Sequence, residues 1–435
     1  MSKILFISEG IVDKKMAGPG MRYLEMSKYL SKFHSVILAC PNKSSLKNEN
    51  FEIVFYTKNS LKKIIALVDI IIIPCSLAAK YSFLWKLKKQ HIVIDLFDSI
   101  NVENLEFFKY ENLKKRIFLH NYDLLKIKNS LLLGDFFICA NEKQKDYWTG
   151  MLMALNKINP LTVKKNMIDI VSSGISKEEP KHKIKVLKGI YSGINENDKV
   201  IIWGGGIWNW LDPITLINAM NLIVQKNKNI KMFFMGISKI NSEIPQMQIC
   251  LSAIKLSKDL NLYNKYVFFN EDWVLYEERQ NYLLEADIGI SLHYDTLETE
   301  YSSRTRILDY IWCNLPIICT EGDIMAKYVE KYQLGKVVKY QDVDNLVETI
   351  LMVLNSSQHN VYKENIKNIK KMFLRDTQLE NLKKYCDDPY KISNEPKRRL
   401  KISKILFMNL VWLRIKDIVQ KKGEICKKLK LKILN

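Results

Sequence analysis

The chain has 435 residues, 47% of them hydrophobic, which is enough for two or three domains with large cores. Its 67 basic and 47 acidic residues give a net charge of +20, which predicts an anionic partner: nucleic acid, membrane phospholipid or a phosphorylated substrate. The eight cysteines form no CxxC pair, which excludes the common zinc and redox motifs and favours a reducing compartment.

The sequence begins without the basic and apolar regions of a signal peptide, and it contains no uninterrupted apolar run of about 18 residues. Internal repeats and low-complexity tracts are also missing. We therefore expect neither a secretion signal nor a transmembrane helix.

A buried strand, a glycine loop and a helix open the chain. Lys3–Ser8 predicts the strand and Met21–Phe33 the helix, an order typical of a doubly wound sheet that binds ligands at the carboxyl ends of its strands. The loop contains Gly18 and Gly20, and Arg22 lies just inside the helix. Either the loop is a tight connection, or it approaches a ligand and Arg22 faces an anion instead of solvent.

Strands and helices then alternate, as expected for a parallel α/β domain. Asp95 and Asp98 lie at the end of one strand, where such sheets place ligand-contacting groups, although Asp98 could equally cap a helix. Helices are predicted at Asp123–Leu133 and from Asn141, the second carrying Gln144. The predicted strands are Ser35–Ala39, Phe51–Tyr56, Ile70–Pro74, Ile92–Leu96, Asp135–Ala140 and Ile168–Ser172.

A break in the pattern between Ser173 and Lys188, rich in Gly, Pro, Glu and Lys, predicts a domain boundary. We assign residues 1–174 to a first domain and 188–365 to a second, followed by a late helix within 366–390 that packs back on the first domain. Two successive doubly wound domains imply a cleft between them, a common place for ligands.

The second half opens with the strand Val200–Trp203, which runs directly into three glycines. Consecutive glycines after a buried strand let the backbone approach another molecule closely. Trp208 and Trp210 follow, either to stack on a sugar or base or to pack in the core, and Asp212-Pro213 predicts the start of a helix. The glycines are Gly204, Gly205 and Gly206.

Five more strands are predicted in the second half. Asn270–Trp273 follows one of them, and a helix at Glu277–Glu285 comes next. A late helix is predicted at Met372–Cys386. The strands are Ile230–Met235, Tyr266–Phe269, Ile288–Leu292, Ile317–Thr320 and Lys336–Val338.

The stretch Ser291–Asp323 has an unusual charge pattern. Its apolar periodicity predicts a helix from about Arg304, with Ser302 and Ser303 as N-cap residues. The first turn carries Arg304 and Arg306, although each cation at the positive end of a helix costs about 0.3 to 1 kcal/mol.

Two explanations of these arginines remain open. A phosphate ester would be bound by free backbone N–H groups, by the hydroxyls of the two serines and Thr305, and by both guanidinium groups. Alternatively, both arginines form surface ion pairs with Glu298, Glu300 or Asp309.

The composition changes near the end of the chain. From Lys391 to Asn435 there are 14 Lys or Arg residues and three acidic ones. Ile405–Val419 combines an apolar face, a tryptophan and flanking lysines, which suits a helix lying on an anionic membrane. The alternative is a helix docked on the second domain with a solvated basic face.

Two runs are specific enough to suggest a family: WGGGIWNWLDP at Trp203–Pro213 and SRTRILDYIWCNLP at Ser303–Pro316. They resemble the retaining GT-B glycosyltransferases of the glycogen-synthase-like group, family four, and more narrowly bacterial cell-surface polysaccharide transferases. The resemblance spans most of residues 1–390 and leaves out the tail. Weaker similarity is carried by DFFICANEKQKDYW at Asp135–Trp148, FFNEDWV at Phe268–Val274 and EGD at Glu321–Asp323.

The resemblance implies two Rossmann-like domains facing a cleft, with a nucleotide-sugar donor bound mainly by the second domain and the acceptor facing the first. It places Gly204–Gly206 near the donor diphosphate, Asn270–Trp273 near the base, and Glu298–Asp309 near the ribose and sugar. The implied donor-binding side chains are Trp208, Asp272, Trp273, Glu298, Ser303 and Thr305.

The chain departs from this family at two points. The family's pair of glutamates eight positions apart is incomplete, because Asp309 matches the second while Tyr301 stands at the first, where Glu298 or Glu300 is the candidate substitute. The Arg and Lys that commonly hold the diphosphate are missing from the glycine segment. We therefore expect the two arginines of the predicted helix to replace them.

The implied reaction moves a hexosyl group from a nucleoside diphosphate sugar to a hydroxyl of a lipid-linked cell-surface glycan, without a cofactor or metal. Asp98 would orient the sugar or acceptor and assist proton removal, and Asp309 would contact the donor. We expect a cytoplasmic protein held by 397–432 at the inner face of the plasma membrane, and no nucleic-acid partner. The alternative is a catalytically inactive GT-B scaffold at the membrane.

Overall fold

The computed structural model describes residues 1–237, 246–355 and 357–392. Within them the chain forms two parallel β-sheets in succession, with helices packed on the sheets. The predicted fold class of two doubly wound α/β domains is confirmed. The predicted basic tail from residue 393 onward, including 397–432, lies outside the described residues.

The first sheet has seven strands in the order β3-β2-β1-β4-β5-β6-β7. Its strands are β1 (Lys3–Ile7), β2 (Ser35–Cys40), β3 (Glu52–Phe55), β4 (Ile70–Pro74), β5 (His91–Asp95), β6 (Phe136–Cys139) and β7 (Ile168–Ile170). The helices are α1 (Gly18–Leu30), α2 (Lys58–Ile65), α3 (Cys75–Ala78), α4 (Ile100–Phe107), α5 (Leu113–Leu133) and α6 (Glu142–Ala154), with a 3-10 helix at Ser82–Lys86.

The second sheet has six strands in the order β10-β9-β8-β11-β12-β13. They are β8 (Lys199–Trp203), β9 (Ile230–Phe234), β10 (Val267–Phe269), β11 (Ile288–Ser291), β12 (Ile317–Thr320) and β13 (Gly335–Val338). The helices are α7 (Pro213–Lys226), α8 (Gln248–Asp259), α9 (Arg279–Glu285), α10 (Leu297–Tyr301), α11 (Thr305–Trp312), α12 (Ile324–Lys331), α13 (Val343–Asn355) and α14 (Gln358–Ile369).

The predicted strands all form, and most are short, nearly continuous apolar runs buried on both faces of a parallel sheet, the edge strand β3 being only partly buried. The predicted late helix, in contrast, is broken into a 3-10 helix at Lys370–Phe373, α15 (Arg375–Gln378) and α16 (Glu380–Asp387). The break follows from pairing with the interdomain segment: Leu374 bridges to Ile175, and the Arg375 N–H donates to the Ile175 carbonyl at 2.9 Å.

The last helix returns to the first sheet. Leu382 and Cys386 of α16 are fully buried in the same hydrophobic cluster as Ile4 of β1. The ring of Tyr385 stacks on that of Phe136, with centroids 4.1 Å apart and planes 8° apart. The end of the described chain thus packs against the half in which it began.

The carboxyl ends of both sheets face each other. Residues that follow β5 and β6 contact the turn between α10 and α11, and residues that follow β8 contact the end of α4. Because loops after parallel strands gather at one edge of a sheet, the loops of the two sheets enclose a cleft. None of the described helices has the length and apolar character needed to cross a bilayer.

Candidate functional site

In the glycine loop after β8, the backbone is held by a hydrogen bond at Gly204 and is unobstructed at Gly205. The Gly204 N–H donates to the hydroxyl of Tyr310 on α11 at 2.8 Å, and that hydroxyl donates to the Ile290 carbonyl at 2.8 Å. Gly205 has φ +87°, and a Cβ built there would meet no atom within 4 Å. The loop therefore exposes its backbone to the cleft in a conformation that favours glycine.

Arg306 lies beside this loop and has no acidic partner in the part of the chain that the structure describes. One of its guanidinium nitrogens donates to the Gly206 carbonyl at 3.0 Å, and the group lies 4.8 Å from the ring centroid of Trp203. The other terminal nitrogen, Nη1, is buried without a hydrogen-bond partner. Among the described residues no carboxylate forms an ion pair with Arg306.

Burial lowers the pKa of Arg306 to about 10, and the positive charge of Arg304 adds to that shift. The guanidinium is still charged at neutral pH, so this half-buried site holds a cation for which the described residues supply no carboxylate partner. Burying an uncompensated charge is unfavourable, and a bound anion would remove that penalty.

Arg304, two residues away, is in the opposite situation. Its guanidinium forms a two-pronged ion pair with Glu298, with N···O distances of 2.8 and 2.6 Å, and its Nε lies 3.5 Å from Asp323 Oδ2. All three side chains are buried. Burial disfavours the charged guanidinium, but Glu298 outweighs this effect and raises the pKa of Arg304.

The sequence predicts the same role for the two arginines, but in the structure their partners differ. The alternative of ion pairing holds for Arg304, although the pair with Glu298 is buried and not on the surface. Glu300 is exposed and lies 3.8 Å from Lys143 of the first domain.

The predicted capping of α11 by Ser302 and Ser303 is wrong. Arg304 is the N-cap residue and makes no side-chain cap bond. Ser302 instead ends α10, and its hydroxyl donates to the Thr299 carbonyl at 3.1 Å. Ser303 is half-buried, and Thr305 is exposed at the start of α11.

Asp309 faces the second domain's own Arg279. The Arg279 Nε donates to an Asp309 carboxylate oxygen at 3.0 Å, and the guanidinium lies between the rings of Tyr276 and Trp312, at 3.8 and 4.6 Å from their centroids. Both members of the pair line a pocket between the two domains. Sequence reasoning missed Arg279, since its position gives no periodic or motif signal.

The first-domain loop reaches the same pocket. Gly18 begins α1, and Gly18 and Arg22 line the pocket. Arg22 is buried and pairs with Asp95 at 2.8 and 3.1 Å, while its Nη1 has no hydrogen-bond partner. Gly20 is required by packing, because a Cβ there would lie 2.1 Å from the Ile11 carbonyl oxygen.

Asp98 opens into the cleft from the end of β5. Its side chain is exposed, and partial desolvation by neighbouring protein atoms, together with the negative charge of Asp95, raises the pKa of Asp98 to about 6. Asp98 does not cap the next helix, because Ser99 is the N-cap residue of α4. Glu103, which the sequence did not single out, has a raised pKa because of burial and the charges of Asp98 and Glu298.

The remaining predicted donor-binding residues lie at the edge of the second domain. Trp208 is half-buried and stacks on Trp210, with centroids 5.5 Å apart and planes 4° apart. Both indoles pack against the second-domain core, as one of the two sequence interpretations requires. Asp272 is exposed and Trp273 half-buried, in a turn shaped by the buried Asn270 side chain, which donates to the Met235 and Asp272 carbonyls at 3.0 Å.

Two amide side chains of α6 and its cap connect the domains. The Gln144 Nε2 donates to the Tyr301 carbonyl at 2.8 Å, and the Asn141 Nδ2 lies 3.4 and 3.3 Å from the Tyr301 and Ser302 carbonyl oxygens. The sequence indicated only that Asn141 begins a helix, which it does as an N-cap bonded to the Gln144 N–H. Within the described residues, no cluster of three His, Cys, Asp or Glu side chains is arranged to hold a metal ion.

Comparison with known proteins identifies the fold. No family model matches the sequence, and no curated protein matches it. Solved structures do match. WaaG, a glycosyltransferase involved in lipopolysaccharide biosynthesis, has 14% identity and a TM-score of 0.61, over 88% of this chain and 100% of that chain.

Two further structures cover a similar part of the chain. Sucrose-phosphate synthase from Thermosynechococcus elongatus has 13% identity and a TM-score of 0.63, over 89% of this chain and 99% of that chain. Anabaena HepE in complex with UDP and glucose has 12% identity and a TM-score of 0.63, over 89% of this chain and 100% of that chain. At these identities the likeness establishes the fold alone, which is the GT-B fold of glycosyltransferases.

Proposed function

We propose that the chain is a nucleotide-sugar-dependent glycosyltransferase of the GT-B type. The observation that carries the proposal is Arg306, a half-buried cation with no acidic partner among the described residues, beside the open backbone of Gly205 at the carboxyl end of β8. A guanidinium and free N–H groups bind a diphosphate well. The structural neighbours include HepE bound to UDP and glucose, which supports a nucleoside diphosphate sugar as the ligand.

The chemistry breaks the bond between the sugar's anomeric carbon and the diphosphate oxygen and forms a bond to an acceptor hydroxyl oxygen. Negative charge builds on the departing diphosphate, so Arg306 and the Gly205 backbone would stabilise the transition state electrostatically. The acceptor proton must leave, and Asp98, as an ionised carboxylate in the cleft, would orient the acceptor and assist that step. We propose retention at the anomeric carbon and no metal requirement, on the resemblance alone.

We further propose a hexosyl donor, a lipid-linked cell-surface glycan as acceptor, and a peripheral position at the inner face of the plasma membrane. The support is the basic amphipathic tail at 397–432 and the resemblance to polysaccharide transferases. Truncation after Asp388 should abolish sedimentation of the protein with anionic vesicles. Unchanged sedimentation would assign any membrane binding to another surface.

An inactive GT-B scaffold is the second candidate. The observations that favour it are Tyr301 at the position of an expected glutamate, and Glu298, a candidate substitute, held in the ion pair with Arg304. A catalytically dead protein would bind a nucleotide sugar and never consume it.

A screen of nucleotide sugars decides between the two candidates. The full chain is incubated with each donor, with and without membrane-extracted glycan acceptors, and release of nucleoside diphosphate is measured. Release that depends on Arg306 supports the enzyme. Tight donor binding without release from any donor supports the scaffold and contradicts the proposed activity.

A further inference from the structure

A single amide side chain bridges the two halves of the cleft. Gln144 lies in the first turn of α6 in the first domain and is 2% exposed. Its Nε2 donates to the Phe97 carbonyl at 3.0 Å and to the Tyr301 carbonyl at 2.8 Å, and its Oε1 accepts the Ala140 N–H at 2.8 Å. The amide therefore uses both of its donor hydrogens and at least one acceptor site.

The two carbonyls that it joins precede functional groups on opposite sides of the cleft. Phe97 is followed directly by Asp98, the acid in the cleft, and Tyr301 lies five residues before Arg306. Tyr301 is also the last residue of α10, where a carbonyl has no partner within its own helix. One side chain thus fixes the loop that carries Asp98 against the turn that leads into the arginines of α11.

Neighbouring contacts from the same helix reinforce this bridge. Asn141 reaches the Tyr301 and Ser302 carbonyls, and the Tyr147 ring lies 5.0 Å from the Tyr301 ring. The chemistry of the site favours an amide at Gln144, because both carbonyls are acceptors and a carboxylate would repel them. An apolar side chain would leave the Phe97 carbonyl without this donor and the Tyr301 carbonyl with only the longer contact from Asn141.

We propose that Gln144 is a positioning residue, which sets the placement of Asp98 relative to Arg306 and so brings the acceptor and donor halves of the site together. Its side chain is buried and bonds to backbone groups, so the role assigned to it acts through Asp98 and Arg306 and not through contact with donor or acceptor. This role rests on the proposed transferase function, since it assigns Gln144 to the same site.

The chain offers a matched control in Gln280. This side chain is also buried, lies in the first turn of its helix, accepts the Lys181 N–H at 2.8 Å and donates to the Glu277 carbonyl at 3.1 Å. None of its hydrogen bonds among the described residues reaches the first domain's cleft loops. Gln280→Ala therefore removes a comparable set of hydrogen bonds without breaking the bridge.

The test compares Gln144→Ala, Gln144→Glu and Gln280→Ala in the full chain, by donor turnover and by the radius of gyration from solution scattering. We expect Gln144→Ala to lower kcat about tenfold, because unpaired buried carbonyls favour separation of the loops by that factor or more. Gln144→Glu should lower it further, since the carboxylate cannot donate. Donor Kd should change little in both variants, because the phosphate site lies within the second domain.

A fall in kcat that Gln280→Ala does not share supports the positioning role, and equal kcat in the two alanine variants overturns it. Should the wild-type chain turn over no nucleotide sugar at all, the proposed function fails separately. The radius of gyration then decides: a larger value for Gln144→Ala than for Gln280→Ala supports the bridge, and equal values overturn it.

Discussion

Arg304 and Arg306 lie two residues apart at the start of α11, yet their surroundings differ completely. Arg304 has Glu298 as a two-pronged partner and Asp323 nearby, whereas Arg306 meets a carbonyl, an indole face and no carboxylate among the described residues. A buried cation with its acid in place already has its charge balanced and serves the fold. A half-buried cation without such an acid, as Arg306 is, is balanced only when an anion binds, so it is suited to a ligand.

The same contrast appears across the cleft. Arg22 is neutralised by Asp95, as Arg304 is by Glu298. Arg22 and Arg304 are thus each balanced by an acid of their own domain, whereas Arg306 has no acidic partner among the described residues. Substitutions whose effects on stability and on ligand binding are measured separately test whether the paired arginines stabilise the fold and Arg306 binds the ligand.

The largest expected effect is on stability. Arg304→Ala should lower the free energy of unfolding by about 3 to 5 kcal/mol, because it leaves the Glu298 carboxylate buried without its partner. Chemical denaturation of the variant and the wild type measures the loss. The double variant Arg304→Met with Glu298→Leu should recover most of it, since a well-packed apolar pair can replace a buried ion pair; an equal loss in both would contradict a structural role for the pair.

The next effect is on catalysis. Arg306→Ala should lower kcat/KM for the donor by about 10² to 10³, the usual effect of removing one electrostatic donor to a developing charge, without lowering the free energy of unfolding. Steady-state kinetics and denaturation measure the two quantities. Arg306→Lys is the matched control: it keeps the charge but loses the planar fork, and should fall in between. Kinetics near those of the wild type in Arg306→Ala would refute the phosphate role.

A smaller effect is expected on the pH dependence of kcat, through the carboxyl group of Asp98. Its pKa is raised to about 6, so the carboxylate form predominates above that pH and is lost as the pH falls through it. Wild-type kcat should therefore be flat near neutral pH and decline below about pH 6, as expected for a carboxylate that must be ionised. Asp98→Asn should be slower at neutral pH and lack this decline. A decline of the same midpoint in the variant would assign the titration to another group.

The smallest effect is expected at the pair of Arg279 and Asp309, whose side chains are 12% and 31% exposed. Partial solvent exposure screens it, so Asp309→Asn should change the free energy of unfolding by less than about 1 kcal/mol. If Asp309 contacts the donor, KM should rise while stability stays the same. A large stability loss would instead place Asp309 with Arg304 among the residues that hold the fold.

The strands were predictable because a parallel sheet buried on both faces needs continuous apolar runs, and those runs are local. The glycine loop and the arginines of α11 were recognisable for the same reason. α10 was missed because its five residues span little more than one helical turn, too short for a periodic signal. The predicted start of α11 near Arg304 agrees with the structure, but the formation of α10 removed Ser302 and Ser303 as caps.

The hydrogen-bond and ion-pair partners of the site's side chains could not be predicted from the sequence. Nothing local distinguishes Arg304, eventually paired with Glu298 six residues earlier, from Arg306, which contacts Gly206 a hundred residues away. Gln144 and Tyr301 are 157 residues apart, so their contact exists only once the two sheets face each other. Local sequence patterns predict helices and strands. The ion-pair partners of the two arginines and the contact between Gln144 and Tyr301 depend on the tertiary structure.

The most direct test of Arg306 as the anion-binding group is calorimetric titration of nucleoside diphosphates, UDP, GDP, ADP, CDP and dTDP in turn, into the wild-type chain and Arg306→Ala. At least one should bind the wild type, and Arg306→Ala should weaken that binding by about tenfold or more, in line with the loss of a charge-assisted hydrogen bond. Equal affinity in the two proteins would contradict the assignment of the unpaired arginine to the donor diphosphate.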